Sequence, residues 1–374
     1  MQAAFGPPFS CAGVYIMART IFATLALSVC SVCAAHEGVA YARFNGIAYS
    51  DPMAYGEFTK DWRGRLYAGD EALQHLRAQL GVDFGEWGVE LVSRDDGDAR
   101  FHPDTAEFYA LLQNKQALES QRRYVIDLSI NHVATHGARA YRRYTLTPHI
   151  QLDAGASLFS ADKLISGTLK GAVTAVAAND YDIGQVAVDY YYSRDTLFGR
   201  DVVAPTGWGY AFDFALIAQP TSDWRIRLEL QNLLGRVNWN NAPFTRAALN
   251  TDNKSYDENG YVKVRPLLSG QFGYRDFQQH LPLLGNLQVG YQATENFEWI
   301  GEAYATPVKS FLSYGLVYDL DVLQVKLKTL YTVETGQVTL GVNGAWGYLM
   351  VGADRIKLSN ARALSIATGL AIGF

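Results

Sequence analysis

The sequence predicts an all-β fold: a transmembrane antiparallel β-barrel of roughly 16 strands, within a range of about 14–16, with a short helix in an extracellular loop. Three features lead there. The last twelve residues alternate between large apolar and small side chains, and the same period of two recurs along the chain from Gly38 onward. After residue 35 no stretch supplies the ~20 uninterrupted apolar residues that a membrane-spanning helix needs.

In the terminal segment Leu364, Ile366, Leu370, Ile372 and Phe374 share one parity, and Ser365, Ala367, Gly369, Ala371 and Gly373 share the other. An extended strand then has one greasy face, diluted only by Thr368, and one face of small residues. This ending resembles the last strand of Gram-negative outer-membrane β-barrels. The resemblance implies that Phe374 is the assembly signal read by the barrel-assembly machinery and that the protein resides in the cell outer membrane, in contact with its lipid. An edge strand of a soluble β-domain would show the same alternation, so the rest of the chain has to decide.

At the N-terminus, Met17-Ala-Arg-Thr precedes the apolar run Ile21 to Val32, followed by small residues, which is the pattern of a secretory signal peptide. Residues 1–35 are assigned to it, with Met17 a possible start and cleavage after Ala35 or after Ala42. Residues 36–374 are assigned to one barrel. Cys11, Cys30 and Cys33 all precede the barrel, which leaves it no cysteine for a disulfide or a metal. Without the first 35 residues, 31 basic residues face 37 acidic ones, and no basic face suggests nucleic acid. Aromatics are abundant (Tyr 23, Phe 18, Trp 7), as barrels with interfacial girdles require.

Strands are expected near 38–49, 73–84, 87–94, 123–134, 140–156, 163–177, 181–193, 207–218, 223–236, 261–274, 286–293, 297–305, 310–319, 322–333, 336–354 and 362–374. The clearest is Trp224 to Gln231, where Trp224, Ile226, Leu228 and Leu230 alternate with Arg225, Arg227, Glu229 and Gln231. The same alternation sets Tyr124, Ile126, Leu128 and Ile130 against Asp127, Ser129 and Asn131. With the N-terminus in the periplasm, the long connections 50–72, 95–122, 194–206 and 237–260 fall outside. That parity requires 336–354 to be one strand, although Gly344 to Gly347 could be a turn.

A helix is expected over Asp104 to Ser120, where Asp104 and Glu107 have capping-box spacing and Phe108, Leu111, Leu112 and Leu118 lie near one face. It either narrows the channel from within, as a general-porin loop does, or packs at the mouth. The acids Asp95, Asp96 and Asp98, and Asp252, Asp257 and Glu258, are expected as solvated loop residues, because neither group has calcium-loop spacing. His132 and His136 follow Ser129, with His136 expected in a periplasmic turn. Without Gly-x-Ser-x-Gly, His-Glu-x-x-His or a phosphate loop, no catalytic residue, metal or cofactor is expected and the protein is not expected to be an enzyme.

The remaining candidates line the lumen: Asp127, Arg143, His149, Asp153, Asp213, Arg225, Arg227, Glu229, Lys326 and Lys328. Such charges either select solutes or pair across a closed barrel. The function expected is an outer-membrane channel for passive diffusion of small solutes, in the manner of porins. One alternative is a transporter of hydrophobic compounds, which should have a plugging N-terminal segment and an apolar pocket inside, although residues 38–72 are too charged and too short to make a convincing plug; another is a closed structural or adhesion barrel.

Overall fold

The computed structural model describes residues 38–374 except 61, 178–179, 251–253, 257–261, 265–267 and 322–323. The signal segment, the three cysteines and Asp252, Asp257 and Glu258 lie outside the described residues. Alternating side chains make strands because only one face of each needs apolar cover. Here the strands pair into one sheet that closes on itself.

β1 (Val39–Ser50), β2 (Glu71–Asp83), β3 (Trp87–Phe101), β4 (Arg123–Thr147) and β5 (Ile150–Ala177) follow one another around the wall. The next wall position is divided. β6 (Asp180–Tyr192) pairs with the later part of β5 and β7 (Thr206–Ala218) with its earlier part, and both pair with β8 (Trp224–Leu249). β9 (Lys254–Tyr256) and β10 (Val262–Val264) pair antiparallel as a separate two-stranded sheet. On the other side of β8, the wall is again divided between β11 (Leu268–His280) and β12 (Leu284–Thr294). β13 (Phe297–Ala305), β14 (Ser310–Leu320), β15 (Val325–Thr332), β16 (Gln337–Gly344), β17 (Gly347–Ala353) and β18 (Ala363–Gly373) complete the ring, and β18 pairs with β1. With each divided position counted once, the barrel has 14 strands.

β1 begins and β18 ends beside the short connections 84–86, 148–149, 219–223, 295–296 and 345–346, which marks that end as periplasmic. The longer connections 51–70 and 102–122 lie at the opposite, outer end. β4, β5 and β8 have 25, 28 and 26 residues, far more than the ~9–11 that cross a membrane, so they continue well above it.

The strand count falls inside the expected range through several offsetting differences. Segment 336–354 is a hairpin turning at Ala345 and Trp346, and 140–156 contains the turn Pro148-His149. β4 and β5 run unbroken through the gaps expected at 135–139 and 157–162. The pairs β6/β7 and β11/β12 each fill one position rather than two. Segment 194–206 interrupts a wall strand instead of capping a hairpin.

α1 (Tyr55–Phe58) and α2 (Pro103–Gln113) lie in the outer connections. α2 is shorter than expected, and its cap is His102, whose side chain accepts from the Asp104 amide, with Pro103 in the first turn. Its expected apolar face is real. Phe108 and Leu118 are buried with Tyr124, Ile126, Val173 and Ile183. α2 does not enter the lumen. On β3, Glu90 and Arg94 line the lumen while Val89 and Leu91 are exposed outside. Ala99 and Phe101 share the parity of Val89 and Leu91 and pack against α2 and Met53, Phe58 and Trp62. The helix therefore covers the outer face of the wall where it rises above the membrane.

Candidate transport site

The lumen is lined by residues from all fourteen wall positions and holds a cavity of about 610 Å³. Its middle is crossed by ions. Arg77 on β2 donates to Asp213 on β7 at 3.1 Å and to Gln231 on β8 at 2.8 Å. Arg139 lies 3.0 Å from Asp213 and 3.1 Å from Glu90, which also accepts from Tyr41 at 2.7 Å and Gln79 at 2.8 Å. These groups are buried or nearly so, and each carboxylate is held by a guanidinium, the arrangement a buried charge requires.

Above this network the β7–β8 pairing is irregular. Asn232 and Leu234 adopt positive φ values of 63° and 52°, and Asn232 donates to the Pro282 carbonyl between β11 and β12 at 2.8 Å. Arg94 on β3 donates to the Asn232 side chain across the lumen. Higher still, Gln279 on β11 binds Trp239 at 2.9 Å and Asn131 on β4 at 2.7 Å. Trp239, Leu281, Phe159 and Leu164 fill the space with apolar packing. Charged pairs thus cross the lumen in its middle, with apolar packing above them.

Arg143 and Asp153 line the lower lumen and pair at 3.2 Å, with Asp83 3.1 Å from Arg143. Asp213 is part of the central network. Arg227 and Glu229 line the lumen as a pair, Arg225 reaches Glu298 at 3.3 Å, and Lys326 and Lys328 meet Asp319 at 2.9 Å and Glu302 at 3.5 Å. Two candidates are elsewhere. His149 is exposed in the periplasmic turn after β4, and Asp127 is exposed above the membrane, on the inward parity of β4 opposite Ile126 and Leu128 but outside the lining of the cavity. Tyr124, Ile126, Leu128 and Ile130, expected against lipid, instead pack with the α2 region.

Sequence reading missed Arg77, Glu90, Arg94 and Arg139, although Arg77, Glu90 and Arg94 sit within strands it placed, on the parity that faces inward. Asp95, Asp96 and Asp98 are not solvated loop acids. They are buried on β3, with His75 lying 3.2 Å from both Asp96 and Asp98 and His132 2.6 Å from Asp95. Their burial depends on β3 running to Phe101, which the acidic composition concealed. His136 lies within β4 rather than in a turn.

The outer wall carries exposed Leu91, Leu158, Leu312, Leu340, Leu349 and Leu370 on strands around the ring. At its periplasmic edge, Trp87, Trp224, Tyr291, Trp299 and Trp346 form an exposed aromatic girdle. A closed antiparallel barrel with this apolar belt and girdle has the features of its membrane class. The protein is an outer-membrane β-barrel.

Above the belt, between the wall and the outer connections, lies an apolar cavity of about 120 Å³. Trp62, Phe101, Tyr109, Leu128, Ile165 and Tyr190 are among the residues lining it. Burial pushes the Tyr109 hydroxyl up to about 12, so it stays neutral at physiological pH. Ile165 and Tyr192, also in the lining, are the last paired residues of β5 and β6 before the wall strand breaks.

No family model and no curated protein matches the chain. Solved structures similar to it include a deletion mutant of the monoaromatic hydrocarbon channel TodX (10% identity, 91% of each chain covered, TM-score 0.43). Others are a Pseudomonas aeruginosa FadL homologue (10%, 90% and 89%, 0.39) and the Ralstonia pickettii toluene transporter TbuX (8%, 91% and 90%, 0.30). At these scores the likeness adds nothing to what the barrel's own geometry establishes.

Proposed function

We propose that the barrel transports small hydrophobic compounds across the outer membrane, taking them up at the apolar cavity beside α2. The carrying observation is that cavity, set against a lumen crossed by Arg77, Asp213, Arg139 and Glu90. Free diffusion of polar solutes needs a continuous aqueous path. An apolar solute instead loses nothing on leaving water for a pocket lined by Trp62, Phe101 and Leu128. Of the functions expected from sequence, an outer-membrane channel or transporter stands, and the hydrophobic-compound alternative accounts for the site better than porin-like diffusion.

The details differ from that alternative in two respects. Residues 38–72 are not a plug, because 39–50 form a wall strand and Met53, Phe58 and Trp62 pack on the outer face. The apolar pocket sits on the wall's outer side rather than inside the lumen. The break between β6 and β7, next to Ile165 and Tyr192, is the passage this arrangement offers from pocket to interior.

The test is uptake of labelled toluene by cells whose outer membrane excludes it, with and without this protein, alongside swelling of proteoliposomes in arabinose. The expected result is accelerated toluene uptake without arabinose-driven swelling. Ala99→Leu, which grows a side chain into the cavity, should slow uptake while the barrel still assembles. Rapid swelling in arabinose together with unaccelerated toluene uptake would overturn the proposal in favour of an open pore.

A further inference from the structure

On the outer wall, His136 of β4 and Ser160 of β5 stand directly opposite one another in the strand register. Ser160 Oγ lies 2.8 Å from His136 Nε2, and both residues are exposed. Ser160 Oγ is also 3.3 Å from the His136 carbonyl oxygen. The pair looks outward: Leu158, two residues before Ser160 and 68% exposed, belongs to the lipid belt, as does Trp208, the neighbour of Ser160 on β7. Directly above, Asp95 and Lys163 lie 3.8 Å apart. The dyad therefore sits where the apolar belt gives way to polar groups, the depth at which acyl esters of the outer leaflet lie.

The backbone beside the serine is irregular. β4 pairs Thr135 with Ala161 and Ala134 with Lys163, so Asp162 has no partner there. On the other side of β5, pairing with β7 stops at Ala161 and pairing with β6 starts at Ile165. A bulge thus follows the hydroxyl by one residue, where main-chain amides can turn toward an oxyanion.

We propose that Ser160 and His136 form a nucleophile and base that hydrolyse acyl esters of lipids at the outer surface of the membrane. Ser160 Oγ bonds to the ester carbonyl carbon as its proton passes to His136 Nε2. The carbonyl–alkoxy bond breaks, and the leaving alcohol takes that proton. Water then attacks the acyl-serine and gives a proton to His136. The serine–acyl bond breaks, the fatty acid leaves, and the proton returns to Ser160. Ester and water are consumed; acid and alcohol are made. No local motif announces the pair, because strand pairing alone joins residues 24 apart. It also runs against the expectation that the protein is not an enzyme.

The experiment uses the folded barrel in detergent micelles with p-nitrophenyl octanoate, and separately a fluorescent fluorophosphonate. Folding of every variant is checked by its faster migration when unheated. The expected result is covalent labelling that maps to Ser160 and disappears in Ser160→Ala. His136→Gln keeps a hydrogen-bonding partner for Ser160 but removes the base, and should slow ester hydrolysis at least about 100-fold. The proposal is overturned if folded wild-type protein hydrolyses the ester no faster than Ser160→Ala, if labelling survives in Ser160→Ala, or if His136→Gln matches wild type.

Discussion

Arg77 on β2 reaches across the lumen to Asp213 on β7, 3.1 Å away, and Arg139 on β4 binds the same carboxylate at 3.0 Å. Asp213 is therefore a shared anion between two buried guanidiniums, supported by the Asn232 amide at 3.0 Å. Removing it leaves both guanidiniums without that partner, and breaking a buried pair from one side costs about 3–5 kcal/mol. Asp213→Ala should lower the urea midpoint of the refolded barrel in lipid vesicles, and adding Arg77→Met should recover part of the loss. A midpoint unchanged by Asp213→Ala would show that the network is solvated.

The same contact lies across the path an ion would take through the lumen. Planar bilayers containing the parent protein should show little conductance, whereas Arg77→Ala combined with Asp213→Ala removes two side chains from the charged layer that crosses the lumen and should raise it. Equal, large conductance in both would mean that ions bypass Arg77 and Asp213 altogether.

Lipid exposure is testable on β8. Arg227 lines the lumen beside Glu229, and Leu228 projects from the opposite face. Arginine facing mid-bilayer lipid costs about 2–4 kcal/mol. Leu228→Arg should therefore destabilise the barrel in vesicle unfolding experiments far more than Arg227→Leu. The reverse order would mean that the strand is rotated by one residue.

The residues of β8 and β18 show why the barrel was legible in sequence: each strand meets lipid on one side and small or charged groups on the other, so the period of two survives, interrupted in β18 only by Thr368. The same rule misled where strands leave the membrane. On β4 the alternation of Tyr124, Ile126, Leu128 and Ile130 is genuine, yet their cover is α2 and its neighbouring connections rather than lipid, and alternation alone cannot distinguish apolar protein from apolar lipid. Asp95, Asp96 and Asp98 resembled a loop because three acids in four residues rarely make a buried strand. Their partners, His75 and His132, come from neighbouring strands and become visible only with the register. The cross-lumen network is nonlocal for the same reason, since Arg77 and Asp213 are 136 positions apart.

The α2 region gives a prediction outside the membrane. Arg122 binds Glu107 at 2.7 Å, Asp104 at 3.1 Å and Glu119 at 3.3 Å, tying the helix to the start of β4. Arg122 is partly exposed, so each pair is worth no more than about 1 kcal/mol and weakens in salt. Arg122→Ala should make the 102–122 connection more sensitive to added protease at low salt, and the difference from wild type should shrink at high salt. A salt-independent difference would instead assign the effect to packing of the Arg122 stem on Tyr124.

The seam of the barrel carries the last prediction. Phe374 extends the pairing of β18 with β1: its amide donates to the Gly38 carbonyl at 2.9 Å, and its carbonyl accepts from the Gly38 amide at 3.1 Å. Its ring lies so close to Gly38 that a Cβ there would come within 2.8 Å of it. We propose that Phe374 serves as the signal read during assembly in addition to closing the seam. The two roles separate by substitution. Phe374→Ala keeps both main-chain hydrogen bonds, so a residue that only closes the ring should tolerate it, both in purified refolding and in cells. The expected outcome is normal refolding into detergent, with faster migration when unheated, but a marked loss of folded barrel in the outer membrane of cells. Equal yields of the variant and wild type in cells would remove the signalling role, and failure of purified Phe374→Ala to refold would assign the aromatic ring to stability of the β1–β18 seam.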